Sequence, residues 1–291
     1  MTKVVGSDKL LESLVSFLSS GSDQRTPVMN LNSLKETALI GHTGFVGSNL
    51  LKQTSFAQTF NSVNFLDMGN RHFELIVCAG ISAAKWLANR EPEADRAAIQ
   101  KLQNVLKTVK ADRFILISTI DVYKNPHSVT EKDIPTTDGH HAYGAHRYEF
   151  EQFVHSNFKD VLTLRLPALF GPGLKKNAIY DLMNDNNVSQ IDPAGDFQWY
   201  PVDRLWTDIT AAAKADLELF NITTEPFQTA TIVEHFFPRV KLSPKPGPAA
   251  SYDMWSLYAE QFGGKGHYLM NKESVLQSMA SYIQANSHAC I

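Results

Sequence analysis

Few residue types or patterns are in excess in this chain, and each shortage excludes something. Its two cysteines, Cys78 and Cys290, are too few and too far apart for a disulfide framework or a metal site. A reducing, cytoplasmic setting is therefore expected. No apolar run exceeds strand length, as in Phe114 to Ile117, so no transmembrane helix is expected. The first residues lack a basic stretch leading into a long apolar one, which argues against a secretion signal. Neither charge dominates: 27 Lys and Arg against 30 Asp and Glu give a formal charge of −3. That balance, with no basic amphipathic stretch, excludes nucleic acid and membrane surfaces as expected partners. Internal repeats and low-complexity tracts are also missing.

What remains is a 291-residue chain, 43% hydrophobic, of ordinary globular composition. That is enough for one large α/β domain with a smaller lobe. Residues 1–36 read as an appendage: Leu10, Leu11, Leu14, Val15 and Leu18 recur at helical spacing behind Ser7 as cap, and Gly21 to Pro27 reads as a linker. From Thr37 onward apolar strands alternate with helical patterns. Strands are expected at Thr37 to Ile40, Leu75 to Gly80, Arg113 to Ser118 and Val161 to Leu166. Helices are expected from Ser48, from Pro92 through Val109, and over Tyr143 to Val154. Between the first helix and Leu75 there is room for one strand near Phe56 to Ser62 and a second near Val63 to Met68. Continuous apolar strands separated by helices predict a doubly wound, Rossmann-type parallel sheet over 37–170. After Gly171-Pro172-Gly173 the pattern loosens, leaving a short strand near Phe220 to Thr224 and two helical segments. Residues 171–291 therefore read mainly as a smaller, substrate-binding lobe intertwined with the sheet.

The stretch ALIGHTGFVGSNLLKQ (Ala38 to Gln53) carries Gly41, Gly44 and Gly47 between the first strand and the first helix. A packing turn can use glycines in this way. At the end of the first strand of a doubly wound sheet, however, such a loop lets backbone approach a pyrophosphate at a helix N-terminus, where free N–H groups and the dipole favour anions. The context favours the cradle, with Thr43, Phe45 and Val46 as its other members.

The spacing G-x-x-G-x-x-G resembles that of the extended short-chain dehydrogenase/reductase superfamily, the NAD-dependent epimerases and dehydratases. Further segments resemble the family in the same order. CAG (Cys78, Ala79, Gly80) is similar to the strand end under the cofactor ribose. ISTIDVY (Ile117 to Tyr123) is similar to S-[ST]-x-x-V-Y and brings Ser118 beside the cofactor and Thr119 to the catalytic hydroxyl. YGAHR (Tyr143 to Arg147) falls where the family has Y-x-x-x-K, RLPALFGPG (Arg165 to Gly173, with Pro167 lining the cofactor) where it has R-x-x-N-x-Y-G-P, and YPVDRLW (Tyr200 to Trp206) where it has V-x-D. The resemblance runs from about Thr37 to Trp206. It implies a bound NAD or NADP, a sugar-like substrate, and pairing of two copies into a homodimer through helices flanking the sheet.

The residue types suit that chemistry. A phenol ionises near pH 10, and a fixed cation one helical turn away favours its anion. Tyr143 and Arg147 are four apart and share a helix face. Thr119 would hold the reacting oxygen beside Tyr143 while a hydride moves at the nicotinamide. Arg147 departs from the family lysine: it keeps the charge and offers two donors to the cofactor ribose, but it does not relay a proton. Ile120 and Asp121 stand where dehydratases carry an Asp-Glu pair, so elimination of water is disfavoured. Ala168 stands where many nucleotide-sugar enzymes have a substrate-binding asparagine. Lys175, Lys176 and Asn177 are the replacements expected to grip an anionic or hydroxyl-rich substrate; Ile81 with its neighbour Ser82, Asp121 and His141 complete the candidate substrate contacts. Asp67 and Met68 resemble the family's adenine-contacting pair. Asn61 and Ser62 occupy the place of the residue that chooses between NAD and NADP, and being neither acidic nor basic they leave that choice open. His140, His141 and His146 lack chelating spacing, and no metal is expected.

Two functional classes follow. One is an NAD(P)-dependent oxidoreductase or epimerase acting on a hydroxyl or keto carbon. The other is a dinucleotide-binding regulatory or scaffold protein with little or no turnover, which Arg147 keeps open. An S-adenosylmethionine-binding reading accounts for neither Thr119 nor the Tyr143/Arg147 spacing.

Overall fold

A computed structural model describes residues 30–286. The N-terminal helix and linker expected before Pro27, and Cys290, lie outside the described residues. The central sheet has six strands: β1 (Thr37–Ile40), β2 (Gln58–Phe60), β3 (His72–Cys78), β4 (Lys110–Thr119), β5 (Val161–Leu166) and a late strand that enters below. All its pairings are parallel. Its inner strands carry apolar runs, such as Leu75 to Cys78 and Phe114 to Ile117, because both faces are covered there. Ala38, Ile40, Ile76, Cys78, Phe114 and Leu116 face one core, shared with α3 (Pro92–Leu106) and α4 (Ala142–Asn157). Leu39, Leu75, Val77, Ile115 and Leu164 face the other, shared with α1 (Phe45–Gln53). Each buried Val, Leu, Ile or Phe among them contributes about 1.5–3 kcal/mol. The short α2 (Lys85–Arg90) precedes α3.

One expected strand is absent. Val63 to Met68 forms a turn and a 3-10 helix over Phe65–Met68 instead. The asparagines divert it: Asn61 accepts from the Val63 N–H, and Asn64 from the Asn61 N–H. Such local side-chain bonds compete with a sheet ladder, and Met68 is drawn into the core rather than alternating. β2 is therefore the edge of the sheet.

From Ala168 onward, α5 (Ala178–Asn184), the parallel pair β6 (Ala168–Phe170) and β8 (Trp199–Pro201), and β7 (Asp196–Phe197), which pairs antiparallel with β10 (Phe227–Gln228), build the smaller lobe with α7 (Thr229–Phe236) and α8 (Lys272–Asn286). The chain also returns to the sheet: α6 (Leu205–Lys214) covers one face and β9 (Leu219–Asn221) pairs with β5. The division at Gly171 is thus crossed by residues 205–221. The strand order β2-β1-β3-β4-β5-β9 reverses direction at β1, so a crevice opens beyond the carboxyl ends of β1 and β3. No helix among the described residues is long and apolar enough to cross a membrane.

Candidate active site

The crevice begins at the glycine loop. Gly41 has φ +87°, and a Cβ there would lie 2.3 Å from the Ala79 carbonyl oxygen; one on Gly47 would lie 2.2 Å from that of Gly41. Both glycines are required by the chain's own packing. Gly44 differs. Its φ is −77°, and a Cβ there would meet only the Gly41 oxygen, at 3.3 Å. Gly44 caps α1 with no side chain, and Gly44 and Thr43 are exposed while Phe45 and Val46 pack inward. The space in front of Gly44 and the free N–H groups at the start of α1 suit a pyrophosphate. His42 Nδ1 is buried in the same loop without a hydrogen-bond partner among the described residues.

Thr119 ends β4, its hydroxyl accepting from the Asp121 N–H at 3.2 Å and lying beside the Tyr143 phenol, whose pKa it helps to hold down. Tyr143 is fixed at the start of α4, where its N–H donates to Asn89 Oδ1 at 2.9 Å. Gly144 lets the helix start there, since a Cβ would lie 2.1 Å from the Asp121 oxygen. Arg147 stacks beneath the phenol, its guanidinium carbon 4.0 Å from the ring centroid. Both terminal nitrogens of Arg147 are committed. They bond Asp95 at 2.6 and 2.9 Å, and one also donates to the Ser82 carbonyl at 2.6 Å. The sequence led us to expect these donors on a cofactor ribose; only Nε–H is without a partner among the described residues. Asp95, on α3, also accepts from His146 Nδ1 at 2.8 Å. Burial pushes the Asp95 carboxyl up, but the bonds from Arg147 and His146 outweigh it and hold it below the usual carboxylate value.

Tyr143 itself moves against the sequence expectation. Burial raises its pKa, Arg147 opposes this, Asp121 adds to it, and the net displacement is upward. Arg147 alone does not make Tyr143 a phenolate at neutral pH. Asp121 is held by a group from another lobe and another loop: Lys85 Nζ donates to its Oδ1 at 2.6 Å and to the Tyr252 hydroxyl at 2.9 Å, and Tyr252 donates to the same oxygen at 3.1 Å. Tyr252 stacks in turn on Phe197.

The histidines shape the helix entrance. His141 caps α4, its Nδ1 accepting from the Gly144 N–H, and burial followed by the nearby Lys85 and His140 charges pushes its pKa down. His140 donates to the Asp121 carbonyl and accepts from the His141 N–H. Among the described residues no cluster of three or more His, Cys, Asp or Glu could hold a metal ion.

The remaining sequence candidates divide clearly. Cys78 is fully buried at the end of β3 and its thiol is pushed up to about 12 by burial, so it contributes backbone only. Ala79 and Gly80 run beside the glycine loop. Ser118 turns into the core and donates to Glu151, which is bound to Arg165. Pro167 is buried between β5 and β6, with Ala168 opening β6. Asn61 serves its turn, Ser62 and Asp67 are exposed, and Met68 is core. Ile81 is half-buried against the α3–α4 face. Lys175 is exposed. Asn177 caps α5, accepting from Ile179 and Tyr180 while donating to the Leu169 carbonyl. Its φ of +125° is a region favoured by glycine and costs about 1–3 kcal/mol. Lys176 reaches the Ala83 carbonyl at 2.5 Å.

Sequence reasoning missed Lys85, Asp95 and Tyr252. Lys85 and Tyr252 stand in segments without a motif. Asp95 had one indirect signal: an arginine on the buried face of a helix needs a carboxylate.

No family model matches the chain, and no curated protein matches it in sequence. Solved structures do match in fold. A dTDP-4-dehydrorhamnose reductase from Bacillus anthracis in complex with NADP is 15% identical with a TM-score of 0.66, covering 87% of this chain and 100% of its own. A UDP-glucose 4-epimerase from Thermotoga maritima with UDP-glucose is 16% identical with a TM-score of 0.63, covering 86% and 98%. A dTDP-glucose 4,6-dehydratase double mutant from Streptomyces venezuelae with NAD is 14% identical with a TM-score of 0.66, covering 86% and 97%. The chain therefore has the α/β Rossmann-like fold that this reductase, epimerase and dehydratase share.

Proposed function

We propose that this chain is an atypical extended short-chain dehydrogenase/reductase: an NAD(P)-dependent oxidoreductase or epimerase acting on a hydroxyl or keto carbon of a sugar or nucleotide-sugar-like substrate. The observation that carries this reading is Tyr143 stacked on Arg147, 4.0 Å from the ring centroid, with Thr119 beside the phenol, together with a glycine loop whose exposed Gly44 caps α1 with no side chain. The residues present fit a dinucleotide: Gly41 to Gly47 for the pyrophosphate, Cys78 to Gly80 and Pro167 along the strand ends, and Asn61, Ser62 and Asp67 toward the adenosine, while the buried Met68 only supports that turn. NAD and NADP both occur in structures of this fold, and both remain candidates here. When bound, the dinucleotide supplies the hydride donor or acceptor.

The protein's own part is proton chemistry at one oxygen. Thr119 and Tyr143 hold the substrate's carbonyl or alcohol oxygen between two hydroxyls. With its pKa raised, Tyr143 is a phenol at neutral pH, suited to donate its proton to a carbonyl oxygen as that oxygen gains charge. Arg147, stacked under the ring, stabilises the phenolate left behind. Ile120 offers no acid, and Lys85 and Tyr252 occupy Asp121, so elimination of water is not part of the reaction. We further propose a cytoplasmic homodimer paired through helices flanking the sheet; light scattering tests it.

A second reading, a dinucleotide-binding regulatory protein with little turnover, is favoured by one observation: Asp95 neutralises Arg147 and takes its terminal donors. The test is calorimetry with NAD(H) and NADP(H), then single-turnover absorbance across a panel of sugars and nucleotide sugars. Tyr143→Phe is expected to keep dinucleotide affinity and lose turnover by roughly 10²–10⁴-fold. A chain that binds neither dinucleotide, or a Tyr143→Phe variant with wild-type turnover, overturns the proposal. Tight dinucleotide binding with no substrate turned over moves the regulatory reading to first place.

A further inference from the structure

The start of α4 hangs on two imidazole lone pairs. His141 is the N-cap residue, with φ −69° and ψ 149°, and its Nδ1 accepts from the Gly144 N–H at 3.0 Å. His140 stands behind it. Its Nδ1 accepts from the His141 N–H at 2.9 Å, while its Nε2–H donates to the Asp121 carbonyl at 2.9 Å. The two ring centroids lie 4.3 Å apart, and a Cβ on Gly144 would fall 2.4 Å from the His140 Nε2. Helices usually take Ser, Thr, Asn or Asp at the cap, whose side-chain oxygens accept throughout the range around neutrality. A neutral imidazole accepts at one nitrogen, and an imidazolium accepts at neither.

A proton on either Nδ1 would therefore set one N–H against another at hydrogen-bond distance. The surroundings add to that cost. The helix N-terminus carries a partial positive charge. Lys85 on α2 and His140 both act on His141, and Lys124 lies against Gly139 in the preceding turn. Asp121 opposes them, but it is itself paired with Lys85 and bonded by Tyr252. Tyr143, its ring centroid 6.4 Å away, completes the groups around His141. Burial first, then the Lys85 and His140 charges, push the His141 pKa below its ordinary value against Asp121. Geometry and charge agree: this cap is built for two neutral rings.

We infer that His141, backed by His140, is a positioning residue for Tyr143 that works only as the neutral ring, so that mild acid releases the first turn of α4 and with it the phenol. Naming Tyr143 as the reacting group rests on the dinucleotide-dependent reading above; the cap itself needs no ligand. Because the folded state favours the neutral ring, capping is complete above the ordinary histidine value of 6.5 and is lost as the pH falls through the lowered folded one. Tyr143 keeps its N–H bond to the Asn89 amide, which does not titrate, so the release is local to the first turn.

The experiment uses the full chain without ligand. Tyr143-Gly144 is the only Tyr-Gly step in the sequence, so isotopic labelling of tyrosine carbonyl carbons and glycine nitrogens isolates one carbonyl–amide signal by NMR, that of this peptide bond. Protection of the Gly144 N–H against solvent exchange, corrected for the exchange of a free amide, is expected to fall roughly tenfold or more in wild type between about pH 8 and about pH 5. His141→Asn places a non-titrating oxygen where Nδ1 was, and is expected to stay protected across that range. His141→Leu is expected to be unprotected at both ends of it. Wild-type protection that does not change with pH, or a His141→Asn variant with the same acid step as wild type, overturns the inference. So does simultaneous loss of all glycine amides in wild type, which is global unfolding rather than release of α4. Because no dinucleotide is present, none of these failures touches the functional reading. A chain that shows the acid step but binds no dinucleotide supports the cap and removes that reading alone.

Discussion

Replacing Arg147 separates the family expectation from the structure of this chain. On the family pattern alone, Arg147→Lys restores Y-x-x-x-K and preserves activity. The structure leads to a different outcome. Arg147 is 5% exposed and makes a two-pronged bond to Asp95, plus a bond to the Ser82 carbonyl. A lysine is a single point charge and cannot span both carboxylate oxygens and the carbonyl. Losing the second prong and the carbonyl bond is expected to cost about 1–3 kcal/mol. Arg147→Met leaves a buried carboxylate with only His146, which is expected to cost about 3–5 kcal/mol. Against a total stability on the order of 5–15 kcal/mol, either change is measurable in urea. Because the cost is an orphaned charge, Asp95→Asn combined with Arg147→Met should recover much of it, giving a coupling energy of about 2 kcal/mol or more in a double-mutant cycle. Single variants within about 0.5 kcal/mol of wild type, or a coupling energy near zero, would refute the buried-pair account.

The acid limb of stability should carry the same signature. Asp95 has a lowered folded pKa, so its contribution is complete above the ordinary value of 3.8 and is lost as the pH falls through the lowered one. Asp95→Asn should flatten that part of an acid-unfolding curve monitored by circular dichroism; an unchanged curve counts against the pair. At the glycine loop, Gly44→Val should abolish dinucleotide binding in calorimetry while melting near the wild-type temperature, because a Cβ there meets one oxygen at 3.3 Å. Gly47→Val should lower the melting temperature whether or not ligand is present, since its Cβ would fall 2.2 Å from the Gly41 oxygen. The reverse ranking would mean that Gly44 serves packing rather than a ligand.

The repeating part of the molecule was legible in the sequence. Apolar runs such as Leu75 to Cys78 and Phe114 to Ile117 specify doubly covered strands, because only a parallel sheet buried on both faces accepts them without alternation. The three glycines, Thr119 and Tyr143 were legible for a related reason: each sits at the carboxyl end of a strand or the start of a helix, where spacing along the chain translates directly into position in space. Val63 to Met68 misled because its apolar content fits either a strand or a buried turn, and two asparagine side chains decided between them. The environment of Arg147 was decided by tertiary structure alone. Its partner Asp95 is 52 residues away on another helix, Lys85 reaches Asp121 across 36 residues, and Tyr252 reaches the same carboxylate across 131. Electrostatics depends on distance through space and on burial, and neither is written into local sequence. The chain alone therefore pointed to the candidate groups, and the packing of α3 against α4 and of Tyr252 against Asp121 set their electrostatic surroundings.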